Sequence, residues 1–222
     1  MKTGLDNVIQ KIKDGKDIAP HLSKQIKNLK YDDDLLNDWG IYHIHLGTKM
    51  DNSNFIERTG ALLFARFDEL NAYCINVMPH GSWSKQDMVK CVHQNWPESV
   101  SRYLLKGISD LEYTPSDKDI KTLRKGHITT MVKIADGIIY APLGGGFMTS
   151  GISTEVVRIS DYYMQRMWEF EKILKERTED IVRALAGKED IPIRLHLEIS
   201  NGDCYAVEKQ EQLVIKLGKL HP

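Results

Sequence analysis

Long apolar runs are missing from these 222 residues, and so is an excess of charge of either sign. No segment approaches the roughly 18 consecutive apolar residues that a membrane helix needs. The opening stretch, MKTGLDNVIQKIKDGKD, has none of the apolar core of a secretory signal. A formal net charge of −1 removes any global pull toward nucleic acid or an anionic bilayer, although a local basic patch stays open. Cysteine is scarce as well: Cys74, Cys91 and Cys204 are widely spaced, and their odd number argues against a disulfide framework. Internal repeats and low-complexity tracts are lacking. What remains is ordinary globular composition, 41% hydrophobic and 27% charged, enough for one large domain or two small ones. A cytoplasmic chain with no membrane contact is expected.

Helical spacing opens the chain, with Leu5, Val8, Ile9 and Ile12 on one face. After Gly15 and Pro20, Leu22, Ile26 and Leu29 give a second short helical face, and Asp32-Asp33-Asp34 reads as a solvated or capped turn. From Gly40 the period becomes two, so Ile41, His43 and His45 share one face of a strand and Tyr42, Ile44 and Leu46 the other. ALLFARF (61–67) and AYCINVM (72–78), joined by DELN, form a hairpin. Ser84, followed three residues on by Asp87, predicts a helix start over 85–95, and Pro97 begins another helix. A short basic helix spans 116–125, and two strands flank the Asp136-Gly137 turn. A brief strand near 156–159 and a helix over 161–186, capped by Ser160, follow. Tyr163, Met167, Phe170, Leu174, Ile181 and Leu185 make that helix's inward stripe. A hairpin around Ser200–Asp203 then closes on LVIKL. The fold class is α+β: N-terminal helices with an antiparallel sheet, then a second antiparallel sheet packed on a long helix. The modules are expected over 1–112 and 113–222.

In the stretch WGIYHIHLG (39–47), His43 and His45 point the same way from one strand, about 7 Å apart at the Cα atoms. Two imidazoles so placed can hold a metal, act as base and acid, or simply face solvent. A metal site of this pattern wants a glutamate four or five residues on, and Gly47-Thr48-Lys49-Met50 supplies none. His80, at the Pro79-His80-Gly81 corner that ends the third strand, can approach the same face. Arg58 can grip a phosphate with two parallel hydrogen bonds. Glu57 and Lys49 lie near the same edge, and Trp83 beside His80 can stack a base. Elsewhere, Gly144–Gly146 can present backbone N–H groups to an anion, but no Gly-Lys-Ser/Thr follows, so a glycine-rich turn is the simpler reading. His127 and His196 fall in strand patterns. Cys91 and His93 lie on different faces of their helix, which disfavours a Cys–His dyad.

Lysine-bearing helices followed by LNDWGIYHIHLG, RTGALLFARF and NAYCINVMPHG resemble, over residues 20–82, the core of RelE/ParE-like (BECR-fold) ribonuclease toxins. The resemblance is one of element order. It implies an endoribonuclease needing no metal or other cofactor, with His43, His45, Arg58 and His80 at strand positions where such enzymes carry catalytic groups. Trp83, Lys49 and Glu57 would then contact substrate. RNA and an antitoxin-like protein are the partners this implies, in a toxin–antitoxin or phage-defence setting, while the C-terminal half is expected to add substrate contacts, a partner surface or the contact of a homodimer. This chain departs from the family in its length, its second module and its lack of overall basic charge. A non-enzymatic protein-binding or regulatory module of a mobile element, and a hydrolase with a metal on His43, His45 and His80, remain as alternatives.

Overall fold

The computed structural model describes residues 2–28, 30–185, 193–209 and 212–220. It is a mixed α+β chain with antiparallel sheets, and it divides into two compact units, Met1–Val156 and Val157–Pro222. The division lies well past the boundary expected near residue 112. The reason is packing: Ile120, Val132, Tyr140 and Leu143 join the same buried cluster as Phe64 and Val92, so the middle of the chain belongs to the first unit. No helix of the described residues is long and apolar enough to cross a membrane.

The first unit is organised by a three-stranded sheet in the order β1-β2-β3, with β1 Tyr42–His45, β2 Ala61–Phe67 and β3 Ala72–Pro79. Alternation puts two different layers on its two faces. On one, Ile44, Leu46, Leu63 and Ala65 pack with Val8 of helix α1 (Lys2–Lys13). On the other, Ile41, Leu62 and Phe64 meet Met88, Val89 and Val92 of α3 (Asp87–Asn95). In register His43 lies opposite Phe64 and His45 opposite Leu62, so both histidines belong to the α3 face.

Local chemistry accounts for the turns that set this layer. Asp33 begins helix α2 (Asp34–Trp39), its Oδ1 accepting the Leu36 N–H at 3.1 Å. Gly40 ends that helix in the left-handed region at φ 65°, where a side chain would be strained. Between α1 and α2 the expected second helical face is replaced by two 3-10 turns, Ala19–His21 and Lys24–Lys27; Leu29 lies outside the described residues. Helix α3 starts at Asp87 after Gln86, not from a Ser84 cap; Ser84 is buried, and Gln86 N–H reaches Asp117 Oδ1 instead. Pro97–Tyr103 is 3-10 helix. Helix α4 (Asp117–Lys125) carries a reciprocal Ser116–Asp119 capping box. Strands β4 (Val132–Ala135) and β5 (Ile138–Tyr140) form the hairpin expected around Asp136-Gly137.

The expected strand near 156–159 does not exist. Helix α5 runs from Thr154 to Glu176, so it begins six residues before the expected Ser160 cap. The β-branched Val156, Val157 and Ile159 suggested extended chain, but intrinsic propensity is a weak force beside helix continuity. The helix breaks at Arg177, and α6 (Thr178–Ala184) follows; Ala186, the expected end, lies outside the described residues. In the second unit Phe170 and Ile181 are buried with Cys204, Ala206, Ile215 and Leu217, and Met167, Leu174 and Leu185 pack around them. That unit's sheet runs β6-β7-β8, with β6 Leu195–Ser200, β7 Asp203–Glu208 and β8 Leu213–Lys219.

Candidate functional site

The α3 face of the first sheet ends in a polar corner. His43 projects from β1 and is 9% exposed. The Nδ1 atom of its ring faces Asp33 Oδ2 at 3.4 Å, and its plane lies 4.7 Å from the Trp83 ring, centroid to centroid. His80, just past β3, is exposed and meets the same indole edge-on at 4.9 Å. The main chain fixes this corner, since the His80 N–H donates to Gly60 O at 2.8 Å and so prolongs the β2–β3 ladder by one pair. Tyr31, Asp33, His43, His80, Trp83 and Lys121 are among the residues lining one cleft of about 320 Å³. A second cleft of about 470 Å³ shares Tyr31, Asp32, Asp33 and His43 with it. His43 therefore stands where the two openings meet.

His45 is placed differently. It is 4% exposed, lines neither cleft, and its Nδ1 accepts the Thr59 N–H at 3.4 Å. Its backbone carbonyl accepts from His21 Nδ1 at 2.8 Å, and Lys11 Nζ stands 2.9 Å from the far nitrogen of that fully buried imidazole. Lys11, His21 and His45 thus tie α1 to the edge strand. His43 and His45 remain neighbours, ring centroids 6.5 Å apart, but they do not form one open face with His80.

Burial dominates the titration of this corner. It holds His43 below its ordinary value of 6.5; Asp33 opposes that shift and His80 adds to it. His45 falls to about 4, first from burial and then from the positive charges that His43, Arg58, His80 and His21 carry or can carry. Both imidazoles are neutral at pH 7. Burial, then Asp33 and Asp34, pushes the Tyr31 hydroxyl up to about 12, with Arg58 pulling the other way. Arg58 is exposed and acts on His45 and Tyr31 through space.

Lys49 and Glu57 do not join the corner. Both are exposed on the irregular hairpin closed by the Met50–Ile56 bridge, and they pair with their own loop: Glu57 N–H donates to Lys49 O, and Glu57 Oε1 accepts the Thr48 N–H. Gly144–Gly146 do not cradle an anion either. Gly144 and Gly146 donate to Asp38 O and Asn37 O at 2.9 Å each, satisfying the orphan carbonyls at the end of α2. His127 sits at φ 55° in the turn after α4, not in a strand, with its ring against Gly151 and Phe147. His196 lies on β6 and is exposed. Cys91 and His93 turn apart, toward Ile75 O and Tyr140 OH respectively.

Two features of the corner were not legible as functional in the sequence. Asp33 had only the Asp32-Asp33-Asp34 run to mark it, which reads as a solvated turn. Arg124 and Asp38 form a buried ion pair, Nε to Oδ2 at 2.7 Å, across 86 positions of sequence. The guanidinium also donates to Trp83 O and lies 4.0 Å over the Trp39 ring. This one side chain fastens α4 to α2 and holds the backbone of the residue that carries the indole.

Among the described residues, no group of three or more His, Cys, Asp or Glu side chains is arranged to hold a metal ion. The corner's groups can serve proton transfer: a neutral imidazole beside a carboxylate, an exposed second imidazole, and the cations of Lys121 and Lys125 lining the cleft, with Arg58 outside it. Comparisons with protein-family models, with curated proteins and with solved structures find no match to this chain.

Proposed function

We propose that this corner is the active site of an endoribonuclease that works without a metal, as the family resemblance of residues 20–82 implies. The observation that carries the reading is the sharing of one cleft by Asp33, His43, Trp83 and His80. With Nδ1–H turned toward Asp33, the His43 ring presents its lone pair at Nε2. That nitrogen removes the proton of a ribose 2′-OH. The freed oxygen attacks the adjacent phosphorus while the bond from phosphorus to the 5′-oxygen breaks, and His80 gives that oxygen a proton. A 2′,3′-cyclic phosphate and a 5′-hydroxyl end result, so atoms and protons balance without water.

His45, neutral to about pH 4, is not the acid; it supports His43 from behind. Arg58 supplies positive charge as the phosphorane forms. Trp83 offers a face for a base, and Lys121 and Lys125 offer charge to the backbone. The carboxylates of Asp32–Asp34 border the same cleft and confine the phosphate to the side of His80 and α4. Lys49 and Glu57 have no part in this account.

Product ends test the chemistry. RNA incubated with the protein in excess chelator should acquire 2′,3′-cyclic phosphate and 5′-hydroxyl termini. Cleavage that leaves 3′-hydroxyl and 5′-phosphate ends, or that needs an added divalent metal, would refute the scheme.

A further inference from the structure

We propose that β6 is a self-pairing edge through which two copies of this chain join, making one six-stranded sheet from two three-stranded ones. The β6-β7-β8 sheet leaves β6 at its margin, and among the described residues no backbone hydrogen bond reaches its outer side. Natural edges are usually guarded by charge, bulges or irregularity. The opposite edge of this sheet is: β8 carries Lys216, Lys219 and Gly218, and Arg166 donates to Lys219 O. β6 has no such guard on the face it shares with the core. Leu197 and Ile199 align with the buried Ala206 and Cys204, yet they are 45% and 55% exposed, and Ile193 just before the strand is 41% exposed.

The turn fixes which atoms are free. Asn201 and Gly202, at φ 52° and 78°, form a two-residue hairpin loop, which makes Ser200 and Asp203 a hydrogen-bonded pair. By alternation Glu198 and His196 also bond inward to β7, so Leu195, Leu197 and Ile199 turn their N–H and C=O groups outward. An antiparallel second copy of β6 can meet those groups when the two-fold axis passes through His196. Leu195 then faces the other copy's Leu197, and Ile193 its Ile199, all on the core face. On the other face Arg194 stands opposite Glu198, giving two ion pairs by symmetry. Among the described residues Glu198 pairs with an exposed Lys209 at 3.5 Å. A two-fold at Glu198 would oppose two carboxylates, and one at Leu197 would strand Ile193 against the turn. The sequence from 193 to 199 is thus complementary to itself in one register, apolar with apolar and cation with anion.

Two substitutions in the full-length protein test this. His196→Cys places two thiols at the axis in a non-hydrogen-bonded pair, whose Cα separation of about 4.5 Å is compatible with a disulfide. Leu197→Pro removes an outward N–H that β7 does not use, so the monomer's own ladder survives. Sedimentation should show a dimer for the wild type and a monomer for Leu197→Pro with an unchanged circular dichroism spectrum. Mild oxidation should link His196→Cys into a dimer while Leu197→Cys stays largely unlinked. If Leu197→Pro misfolds, Arg194→Glu with Glu198→Arg decides: each alone should weaken the dimer and the pair should restore it. A monomeric wild type, or a dimer indifferent to Leu197→Pro and to both charge reversals, would overturn the proposal and leave the edge to another partner.

Discussion

Asp33 and His43 face each other at 3.4 Å, carboxylate Oδ2 to imidazole Nδ1, while the other oxygen of the same carboxylate caps α2. One side chain therefore both starts a helix and sets its charge beside a ring nitrogen that is buried without a hydrogen-bond partner among the described residues. Asp33→Asn should preserve the cap, because the amide oxygen can still accept the Leu36 N–H, and leave the thermal midpoint close to wild type. The lost charge should lower the His43 pKa further, since Asp33 is what opposes its depression. Cleavage should fall about 10- to 100-fold, the usual cost of removing a group that orients a catalytic one. NMR titration of the imidazole reads this directly; an unmoved His43 titration would separate the two residues.

His45 makes the fold sensitive to acid. Its folded value of about 4 lies below the ordinary 6.5, so the unfolded chain takes up the proton first. The neutral ring's contribution is complete above pH 6.5 and drains away as pH falls toward 4, an effect on the order of 2–3 kcal/mol. His21 and His43, also depressed, act in the same sense. Denaturant titrations between those two pH values should show stability falling with acid, with a shallower slope in His45→Gln. Equal slopes would contradict this assignment of the shift.

The Arg124–Asp38 pair gives an asymmetric prediction. Arg124→Met leaves a buried carboxylate without its partner and should cost about 3–5 kcal/mol. Asp38→Leu combined with Arg124→Met should cost clearly less than either single change. Arg124→Lys should not rescue, because an ammonium cannot bond Asp38, reach Trp83 O and lie over Trp39 together. Chemical denaturation of the wild type, the two single variants, the double variant and Arg124→Lys measures it; additive single costs would refute the coupling.

Gly144 packs where no other residue fits. A Cβ there would meet Leu36 O at 2.2 Å and Gly40 N at 2.5 Å, both backbone atoms that cannot swing away. Gly144→Ala should therefore destabilise by about 1–3 kcal/mol or more, whereas Gly60→Ala, with nothing within 4 Å, should change stability little. An equal response at the two positions would mean that the contact with α2 is not what Gly144 serves.

Alternation made the first sheet legible: YHIH, ALLFARF and AYCINVM each declared a strand, and parity put Ile41, His43 and His45 on one face. The Pro79-His80-Gly81 corner was legible too, because a strand must end there. What the chain did not announce were relations set by tertiary packing. Thr59 and His21 bury His45, although parity alone promised it the same exposure as His43. Arg124 looked like one more cation on a basic helix until the fold carried it to Asp38. The glycines at 144–146 looked like a turn, and only the fold shows that the C-terminal end of α2 excludes a side chain at Gly144 and Thr129 excludes one at Gly146. Helix α5 hid its first turn behind β-branched residues whose weak preference helix continuity overrides.

The most direct test of the proposed site is cleavage of a single-stranded RNA in excess chelator by wild type, His43→Ala and His80→Ala, with thermal midpoints measured on the same preparations. Cleavage by the wild type is expected, with a loss of at least about 100-fold in each variant and a midpoint nearly unchanged for His80→Ala. Its pH–rate profile should lose activity on acidification only below 6.5, because His43 as the base is depressed from that value. Wild-type protein that leaves the RNA intact, or variants that cleave in proportion to their folded fraction, would contradict it and leave a binding surface in place of an active site.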